Sequence, residues 1–259
     1  MVVVTAATPS NAATHNKADD PARDPERAAG LALLWVDGEA VVVDKPAGLP
    51  VDPPRDGSLS MHNRLRALSL NFAKLPVLIH RLDRDTSGCL LLARSVQAAR
   101  RFAATWEAGA VEKHYLAVLD GVPDGEAGTV DAPLAKISSA ERGWRMVIDP
   151  AGKRAVSHWQ VVAVQGGRAL VAFRPETGRT HQLRVHAAEG LGLPIVGDPV
   201  YGTGRPGEPP LLLHAHRLVV PRDGKPPVDA TAPLPERFVA AGWGDVAAPK
   251  LGQPPDGEP

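Results

Sequence analysis

Residues 77–93 read VLIHRLDRDTSGCLLLA, with one apolar run at 77–79 and another at 89–93. Each run predicts a short strand, so the stretch predicts two strands joined by a polar connection. Gly88 supplies the backbone freedom that lets the chain turn back into the second strand. A plain hairpin closes with a pair such as Asn-Gly. This connection instead carries four charged residues, which a turn alone does not require: Arg81, Asp83, Arg84 and Asp85.

Hairpins dominate the rest of the chain. Asp37-Gly38 joins two apolar runs and Gly166-Gly167 joins two more, and both pairs are typical of β-hairpin turns. Residues 95–109 predict the clearest helix, with Ser95 as its N-cap and Gly109 as its stop. Many hairpins and few helices between strands predict an α+β fold. We expect a mixed, mostly antiparallel sheet with flanking helices.

The segment 180–190, THQLRVHAAEG, predicts a short helix with Thr180 as its cap. If Thr180 is the cap, His181 and Arg184 share one helical face. An arginine beside a buried carboxylate keeps the carboxylate ionised and oriented. Such an aspartate can act as a nucleophile or base without a metal or cofactor. Asp83 is the candidate, although a purely structural Asp–Arg ion pair explains the spacing equally well.

The composition predicts one substantial core, because 44% of the 259 residues are hydrophobic. Residues 1–30 and 244–259 lack apolar periodicity and predict disordered tails, which leaves 31–243 as the expected domain. The single cysteine, Cys89, excludes an intramolecular disulfide and is expected to be buried and inert. With no signal-peptide pattern and no run long enough to span a membrane, we expect a soluble, cytoplasmic protein.

Basic residues are concentrated in one part of an otherwise neutral chain. Lys+Arg and Asp+Glu number 29 each, yet residues 60–114 contain nine basic and four acidic residues, an excess of five positive charges. Such a segment can bind nucleic acid through one face of the protein. A solvated helix face explains the same charges and is favoured when charge alone is considered.

Three other kinds of site are excluded. An EF-hand calcium loop beginning at DRDTSG would need a glutamate where Arg94 stands. The HRLD stretch lacks the asparagine of a kinase catalytic loop, and no phosphate-binding glycine loop occurs, which excludes phosphoryl transfer. His214 and His216 face the same way on a predicted strand, but no third metal ligand accompanies them. A packed or surface histidine pair is therefore favoured, and neither a metal nor a cofactor is expected.

Five stretches stand out in chain order: DKPAGLPV (44–51), HRLDRDTSGCLLLAR (80–94), EKHYLAVLDG (112–121), ETGRTHQLRVHAAEGLGLPIVGDPVYG (176–202) and LLLHAHRLVVP (211–221). Together they resemble the RluA family of RNA pseudouridine synthases, from about Val36 to about Pro235. The combination of the second stretch with GRTHQLRVH is highly specific. The resemblance implies a single catalytic domain with a mixed, mostly antiparallel sheet, flanking helices and a central RNA-binding cleft.

The resemblance also implies an activity, the isomerisation of a uridine in RNA to pseudouridine without a cofactor. The essential aspartate of the family falls on Asp83. The conserved tyrosine falls on Tyr115, which would stack on the uracil and assist proton removal at carbon 5. The arginine that pairs with the aspartate falls on Arg184, with Arg179 as second choice. Further residues expected to bind the substrate are His80, Thr86, Leu183 beside the base, and Arg81 within the RNA stack.

This chemistry explains the charged connection, because carbon 5 of a stacked uridine is inaccessible and the nucleotide must be extruded toward an anionic group. Attack by Asp83 on the sugar and removal of the 2′ proton are both open. The implied partner is a stem-loop of ribosomal or transfer RNA, bound by a monomer. Many relatives carry a small RNA-binding module, and the stretch before residue 31 is too short for one. The alternative is an inactive RNA-binding or RNA-folding factor on the same scaffold.

Overall fold

The structure, a computed structural model, describes residues 30–70, 73–141, 143–204 and 210–244. The tails expected at 1–30 and 244–259 therefore lie outside the described residues, apart from one residue of each. No helix within the described ranges is long and apolar enough to cross a membrane.

Strands make up most of the regular structure. In chain order they are β1 Leu33–Val36, β2 Ala40–Lys45, β3 Val77–Leu78, β4 Ser87–Ala93, β5 Glu112–Leu119, β6 Ala127–Asp131, β7 Leu134–Ser139, β8 Gly143–Ile148, β9 Val156–Gln165, β10 Arg168–Pro175, β11 Leu213–Arg222 and β12 Lys225–Thr231. The α-helices are α1 Met61–Arg64, α2 Val96–Glu107, α3 Gln182–Val185 and α4 Glu236–Phe238. A 3₁₀ turn spans Ala67–Ser69, and π-helical turns follow α3 and α4 at His186–Gly190 and Val239–Trp243.

Within the described residues, ten strands form one sheet in the order β1-β2-β4-β11-β5-β10-β9-β6, with β12 paired to β11 and β3 paired to β4. Only the pairing of β11 with β4 is parallel, and all the others are antiparallel. Strands β7 and β8 form a separate two-stranded hairpin. This arrangement confirms the predicted α+β fold with its mixed, mostly antiparallel sheet.

The central strands bury side chains on both faces of the sheet, which explains why β4 is apolar at successive positions. Cys89 and Leu91 point to the face covered by α2, called here the helix face. Leu90 and Leu92 point to the opposite face, where they pack with a cluster that includes the Tyr115 ring. This second surface is called the cavity face, because it carries the candidate site.

Gly88 confirms the requirement for a glycine where the charged connection enters β4. Its φ is +108°, and a Cβ atom there would lie 2.2 Å from the carbonyl oxygen of Ala215. The close approach arises because β4 runs parallel to β11 at this point, with Gly88 opposite Ala215. The connection can therefore enter the sheet beside β11 only if this position lacks a side chain.

The predicted hairpins across Asp37-Gly38 and Gly166-Gly167 are confirmed by the pairing of β1 with β2 and of β9 with β10. The Ser95 cap is also confirmed, because its hydroxyl accepts the backbone N–H of Ala98 at 3.1 Å. Gly109 follows the helix with a φ of +68°, as a stop requires.

The Thr180 cap is wrong. Helix α3 begins at Gln182, and its N-cap is His181 in the left-handed conformation with a φ of +53°. The N–H of Gln182 is bonded to the carbonyl of Arg179 at 3.0 Å, so the preceding turn already satisfies it. The hydroxyl of Thr180 therefore has no capping role at this helix start.

Candidate active site

A cavity of about 130 Å³ opens on the cavity face. The connection between β3 and β4 forms one wall, β5 and the start of β11 form the floor, and the loop after β10 with α3 forms the opposite wall. The walls bring together segments that are far apart in the sequence. The lining residues are Arg81, Leu82, Asp83, Thr86, Lys113, Tyr115, Pro175, Thr177, Gly178, Arg179, Thr180, His181, Gln182, Leu183, Arg184 and Leu213.

Asp83 and Arg184 meet in this cavity, as the sequence predicts, with Arg184 Nη1 3.4 Å from Asp83 Oδ2. The other edge of the guanidinium donates from Nε and Nη2 to Asp198 at 2.7 and 2.8 Å. Asp198 is fully buried and also accepts the backbone N–H groups of Val200 and Tyr201. Burial opposes its ionisation, but the bonds from Arg184 and the two N–H groups lower the pKa of Asp198. Both partners of the buried pair are therefore charged.

His181 lies on the same side of the carboxylate, with its Nε2 3.9 Å from Asp83 Oδ2. Its Nδ1 is 2.9 Å from the hydroxyl oxygen of Tyr201, and that oxygen accepts the backbone N–H of Met146 at 3.0 Å. The imidazole also stacks on Trp144, with ring centroids 5.1 Å apart. Burial lowers the pKa of His181, so the ring is neutral at neutral pH.

Tyr115 occupies the floor beside Asp83. Burial, and then the negative charge of Asp83, raise the pKa of the Tyr115 phenol. The side chain therefore stays protonated at neutral pH, where it can stack on a base or donate a hydrogen bond. The expected assistance of Tyr115 in proton removal at carbon 5 stays a prediction. If it occurs, it would have to come from the neutral phenol.

Lys45 bonds to the backbone of the charged connection between β3 and β4. It is fully buried, and its ammonium group donates to the carbonyls of Pro46, Leu49 and Arg84 at 2.8, 2.9 and 3.0 Å. Burial lowers the pKa of Lys45 to about 7, against the opposing charges of Asp85 and then Asp83. The bond to the Arg84 carbonyl fixes the backbone next to Asp83.

Lys113 lies two residues before Tyr115 on β5. Its ammonium lies 3.4 Å from each of the carbonyl oxygens of Glu176 and Thr177. Burial lowers the pKa of Lys113 to about 8. The side chain lines both the cavity and an adjoining groove that reaches the end of α2. It therefore places a cation at the junction of the two.

Four of the remaining predicted residues line the cavity. Thr86 and Leu183 are buried in its wall. Arg81 is exposed and forms an ion pair with Asp52 at 2.8 Å. Arg179 donates from Nε to the carbonyl of Arg154, and within the described residues no bond links it to Asp83. The second choice for the arginine partner is therefore not brought to the carboxylate.

His80 is not among the lining residues of the cavity. Its Nε2 accepts the backbone N–H of Leu91 at 2.9 Å, and its ring stacks on Trp106 with centroids 4.5 Å apart. Burial lowers the pKa of His80 to about 3, in keeping with an unprotonated acceptor nitrogen. The structure thus gives His80 contacts that hold the start of the connection on the sheet, away from the cavity.

Comparison with known proteins identifies the family. Residues 39–189 match the RNA pseudouridylate synthase family. The chain belongs to this family. An uncharacterised RNA pseudouridine synthase of Zymomonas mobilis is 56% identical over 212 residues, which cover 82% of this chain and 97% of that protein. Ribosomal large subunit pseudouridine synthase D of the same organism is 34% identical, covering 83% of this chain and 73% of that protein.

Solved structures of the family agree with the fold. Human RNA pseudouridylate synthase domain containing 4 has a TM-score of 0.72 at 28% identity, covering 89% of this chain and 98% of that chain. Human RNA pseudouridylate synthase domain containing 1 has a TM-score of 0.67 at 30% identity, covering 78% and 83%. The resemblance read from the sequence motifs is thereby confirmed.

The synthase site contains residues to which the sequence patterns assign no role. Asp198 and Tyr201 lie in GDPVYG, and Lys45 lies in DKPAGLPV, both within the stretches that carry the family resemblance. For Asp198 and Lys45 the signal in the sequence is a charged residue inside an otherwise apolar or glycine- and proline-rich stretch, since charges are rarely buried without partners. Tyr201 has no such signal. Which partners they meet depends on contacts between segments distant in sequence.

The basic segment 60–114 does not present a single surface. Helix α2 packs on the helix face, whereas the cavity opens on the other side of the sheet. Arg101 of this helix forms an ion pair with Glu39 at the β1–β2 hairpin. Arg81 and Lys113 instead line the cavity. The structure therefore separates Arg101 from the cavity and does not support one continuous basic face.

Within the described ranges, no group of three or more His, Cys, Asp or Glu side chains is arranged to hold a metal ion. His214 is fully buried, and its Nδ1 lies 2.7 Å from the hydroxyl of Ser87. His216 Nδ1 lies 2.9 Å from the carbonyl of Ala232. Cys89 is buried on the helix face, and burial raises the pKa of its thiol to about 12. These contacts fit the predicted packed histidine pair and inert thiol.

Proposed function

We propose that this protein isomerises uridine to pseudouridine in RNA and that Asp83 is the residue that acts on the ribose of the extruded nucleotide. The observation that carries the proposal is the contact of Asp83 with Arg184 in a cavity whose floor is Tyr115. Buried Asp198 holds the arginine, so the guanidinium meets the carboxylate without moving. Family membership supports this activity over an inactive RNA-binding factor.

The reaction breaks the bond between the sugar carbon C1′ and N1 of uracil. The uracil turns, and a bond forms between C1′ and carbon 5. The proton on carbon 5 is lost to a base or to solvent, and N1 gains a proton, so the product is an isomer of the substrate. No net oxidation or reduction occurs, and Asp83 provides the carboxylate. The proposal therefore includes no cofactor and no metal.

Each wall of the cavity has a part in this proposal. The uracil would lie against Tyr115 and Leu183, since aromatic and apolar surfaces receive flipped bases. Exposed Arg81, at the rim, would enter the space that the extruded nucleotide leaves. Thr86 would remain a wall of the pocket. Arg179 would lie beside the adjoining groove as a contact for the RNA backbone.

We propose a stem-loop of large-subunit ribosomal RNA as the substrate. The support comes from relatives in Zymomonas mobilis and Pseudomonas aeruginosa, each named ribosomal large subunit pseudouridine synthase D. A transfer RNA stem-loop is the other outcome that the experiment distinguishes. We further propose a cytoplasmic monomer, with residues 31–243 as the catalytic domain.

The test is to map pseudouridine in total RNA from cells with and without the gene. Loss of one or a few sites in large-subunit ribosomal RNA is expected, and loss confined to transfer RNA would correct the substrate. Return of the site with wild type, but not with Asp83→Asn, would show that the protein itself makes it. An unchanged map, together with RNA binding by the purified protein, would support the inactive factor.

A further inference from the structure

His181 adopts a backbone conformation that is uncommon for residues other than glycine. Its φ of +53° lies in the left-handed region, which costs a non-glycine residue about 1 kcal/mol or more. The conformation sets His181 at the start of α3, where its ring lines the cavity. Strain of this kind persists where surrounding contacts hold the residue in place, and it is common at functional sites.

Two neighbours hold the His181 imidazole, and a third residue holds one of them. Trp144 stacks on the ring, Tyr201 bonds to Nδ1, and the Met146 N–H in turn bonds to the Tyr201 oxygen. Trp144 and Met146 both belong to β8, so the separate hairpin touches the cavity through this ring. Arg184 also lies over the Tyr201 ring, 5.2 Å from its centroid. The imidazole is therefore fixed on the same support as the arginine.

These contacts favour one tautomer of the imidazole. The Tyr201 oxygen already accepts the N–H of Met146, and its own proton has His181 Nδ1 as the acceptor within the described residues. Burial raises the pKa of Tyr201 to about 12, so the hydroxyl keeps that proton. A neutral imidazole that accepts at Nδ1 carries its proton on Nε2. The Nε2–H group is the part of the ring that lies toward Asp83.

Arg184 and His181 approach the same oxygen atom of Asp83. Arg184 Nη1 lies 3.4 Å from Oδ2, and His181 Nε2 lies 3.9 Å from that same Oδ2. The second distance is longer than a hydrogen bond, and such contacts commonly shorten when a substrate closes an active site. Within the described residues, no side-chain donor bonds to Oδ1. The arrangement distinguishes the two oxygens of one carboxylate.

We propose that His181 is a positioning residue for Asp83: its Nε2–H group, set by Tyr201, and Arg184 together hold Oδ2, so that Oδ1 is the oxygen presented to the ribose. The inference rests on the proposed function. The role is to orient the carboxylate, and His181 transfers no proton in it. The loss of one such donor should slow turnover at saturating RNA while leaving the affinity for RNA unchanged.

Three substitutions at one position separate orientation from folding. His181→Phe keeps an aromatic ring against Trp144 but has no donor. His181→Gln keeps an N–H donor of similar reach. His181→Asn suits the left-handed backbone, because asparagine adopts it readily, but its side chain is too short to reach Asp83. His158→Phe is the matched control, because His158 bonds to Thr129 and Glu176 and is not a lining residue of the cavity.

Single-turnover rates at saturating RNA, RNA affinity and melting temperature would be measured for each variant. We expect His181→Phe and His181→Asn to be about 10- to 100-fold slower, with affinities within about twofold of wild type. His181→Gln should recover most of the rate, and His158→Phe should match wild type. Rates of His181→Phe and His181→Asn within twofold of an active wild type would overturn the inference. A loss of affinity in place of rate would also overturn it, because it would make His181 an RNA contact.

The tautomer provides a test that needs no activity. Imidazole ¹⁵N chemical shifts of the wild-type protein should show His181 neutral, with its proton on Nε2, and Tyr201→Phe should disturb that signal. A proton on Nδ1 would overturn the inference even if the enzyme is active. Absence of wild-type turnover on every RNA, with the Nε2–H tautomer present, would instead count against the proposed function.

Discussion

Asp198 holds Arg184 through two hydrogen bonds of 2.7 and 2.8 Å, on the guanidinium edge that does not face Asp83. The arginine is thus fixed by a carboxylate outside the cavity lining, and its contact with Asp83 is longer, at 3.4 Å. A rigid cation beside a less tightly bound anion suits a site in which the anion must act on a substrate.

Asp198→Asn should reduce the free energy of unfolding by about 3 kcal/mol, because it leaves the buried Arg184 cation without its counter-charge. The acid dependence should change as well. The folded-state pKa of Asp198 is lowered, so its contribution is present above the unfolded pKa of about 3.9 and is lost as pH falls through the folded pKa. In denaturant titrations from pH 7 to pH 3, the free energy of unfolding should fall less steeply with pH for the variant than for wild type. An equally steep fall of the free energy of unfolding in the variant and in wild type would contradict this account.

Asp83→Asn should abolish isomerisation, with a loss of roughly 1,000-fold or more, while RNA binding and melting temperature change little. The amide keeps the shape of the side chain and removes its charge. Asp85→Asn is the matched control, because Asp85 is two residues away, bonds to Arg84 and does not line the cavity. Near-normal turnover by Asp83→Asn would refute the assignment of the reactive carboxylate.

Arg184→Met should lower turnover by about 100-fold or more, because Asp83 loses its cationic partner. It should also destabilise the fold, since Asp198 would become an unpaired buried anion. Arg179→Met should have a much smaller effect on turnover, because Arg179 bonds to the Arg154 carbonyl and not to Asp83. Turnover of both variants would be compared at a temperature where circular dichroism shows each to be folded. An inactive Arg179 variant beside an active Arg184 variant would reverse the choice of arginine.

Much of the fold could be predicted because local signals agree with it. The turn pairs at Asp37-Gly38 and Gly166-Gly167 and the cap at Ser95 each act over a few residues. The sequence pattern does not predict strands β6, β7, β8 and β12. These strands are short or largely exposed, so their alternation of apolar and polar residues is weak. The Thr180 cap was wrong because His181, with its left-handed backbone, is the N-cap, so α3 begins one residue later than predicted.

Only the site residues that the family motifs contain could be predicted from the sequence. Asp83, Tyr115 and Arg184 meet because the sheet places β4, β11, β5 and β10 side by side and α3 follows β10. The family resemblance implied that they share one site. The roles of Asp198 and Tyr201 required knowledge of side-chain directions in a loop after α3. No local pattern reports such directions, because they are decided by packing against distant segments.

Gly88→Ala should destabilise the protein by about 3 kcal/mol or more, because the new Cβ would meet the Ala215 carbonyl at 2.2 Å and the residue would keep a φ of +108°. Gly109→Ala is the control, since Gly109 also has a positive φ, of +68°, but has nothing within 4 Å of the added atom. That variant should lose about 1 kcal/mol from backbone strain alone. Equal losses of unfolding free energy in the two variants would show that the contact with β11 is unimportant.

The path of the RNA can be tested with cations that lie on the two faces of the sheet. Lys113 lines both the cavity and the adjoining groove, whereas Arg100 and Arg101 belong to α2 on the helix face. Each cation that meets a phosphate releases counterions, so affinity falls with salt by a slope of roughly −0.7 to −0.9 per contact. Lys113→Met should therefore flatten the slope by about one contact. The double variant Arg100→Ala/Arg101→Ala should leave it unchanged, because Arg101 is already paired with Glu39.

The measurement is RNA affinity across a salt series at pH 7, for wild type and both variants, with a stem-loop that carries the mapped uridine. At this pH most of Lys113 is charged, because its pKa is lowered only to about 8. A flatter slope for the α2 double variant would place that helix on the RNA path and restore the single basic face expected from residues 60–114. An unchanged slope for Lys113→Met would mean that its ammonium serves the carbonyls of Glu176 and Thr177 and meets no phosphate. Because the two variants lie on opposite faces of the sheet, their slopes identify the face that the RNA occupies.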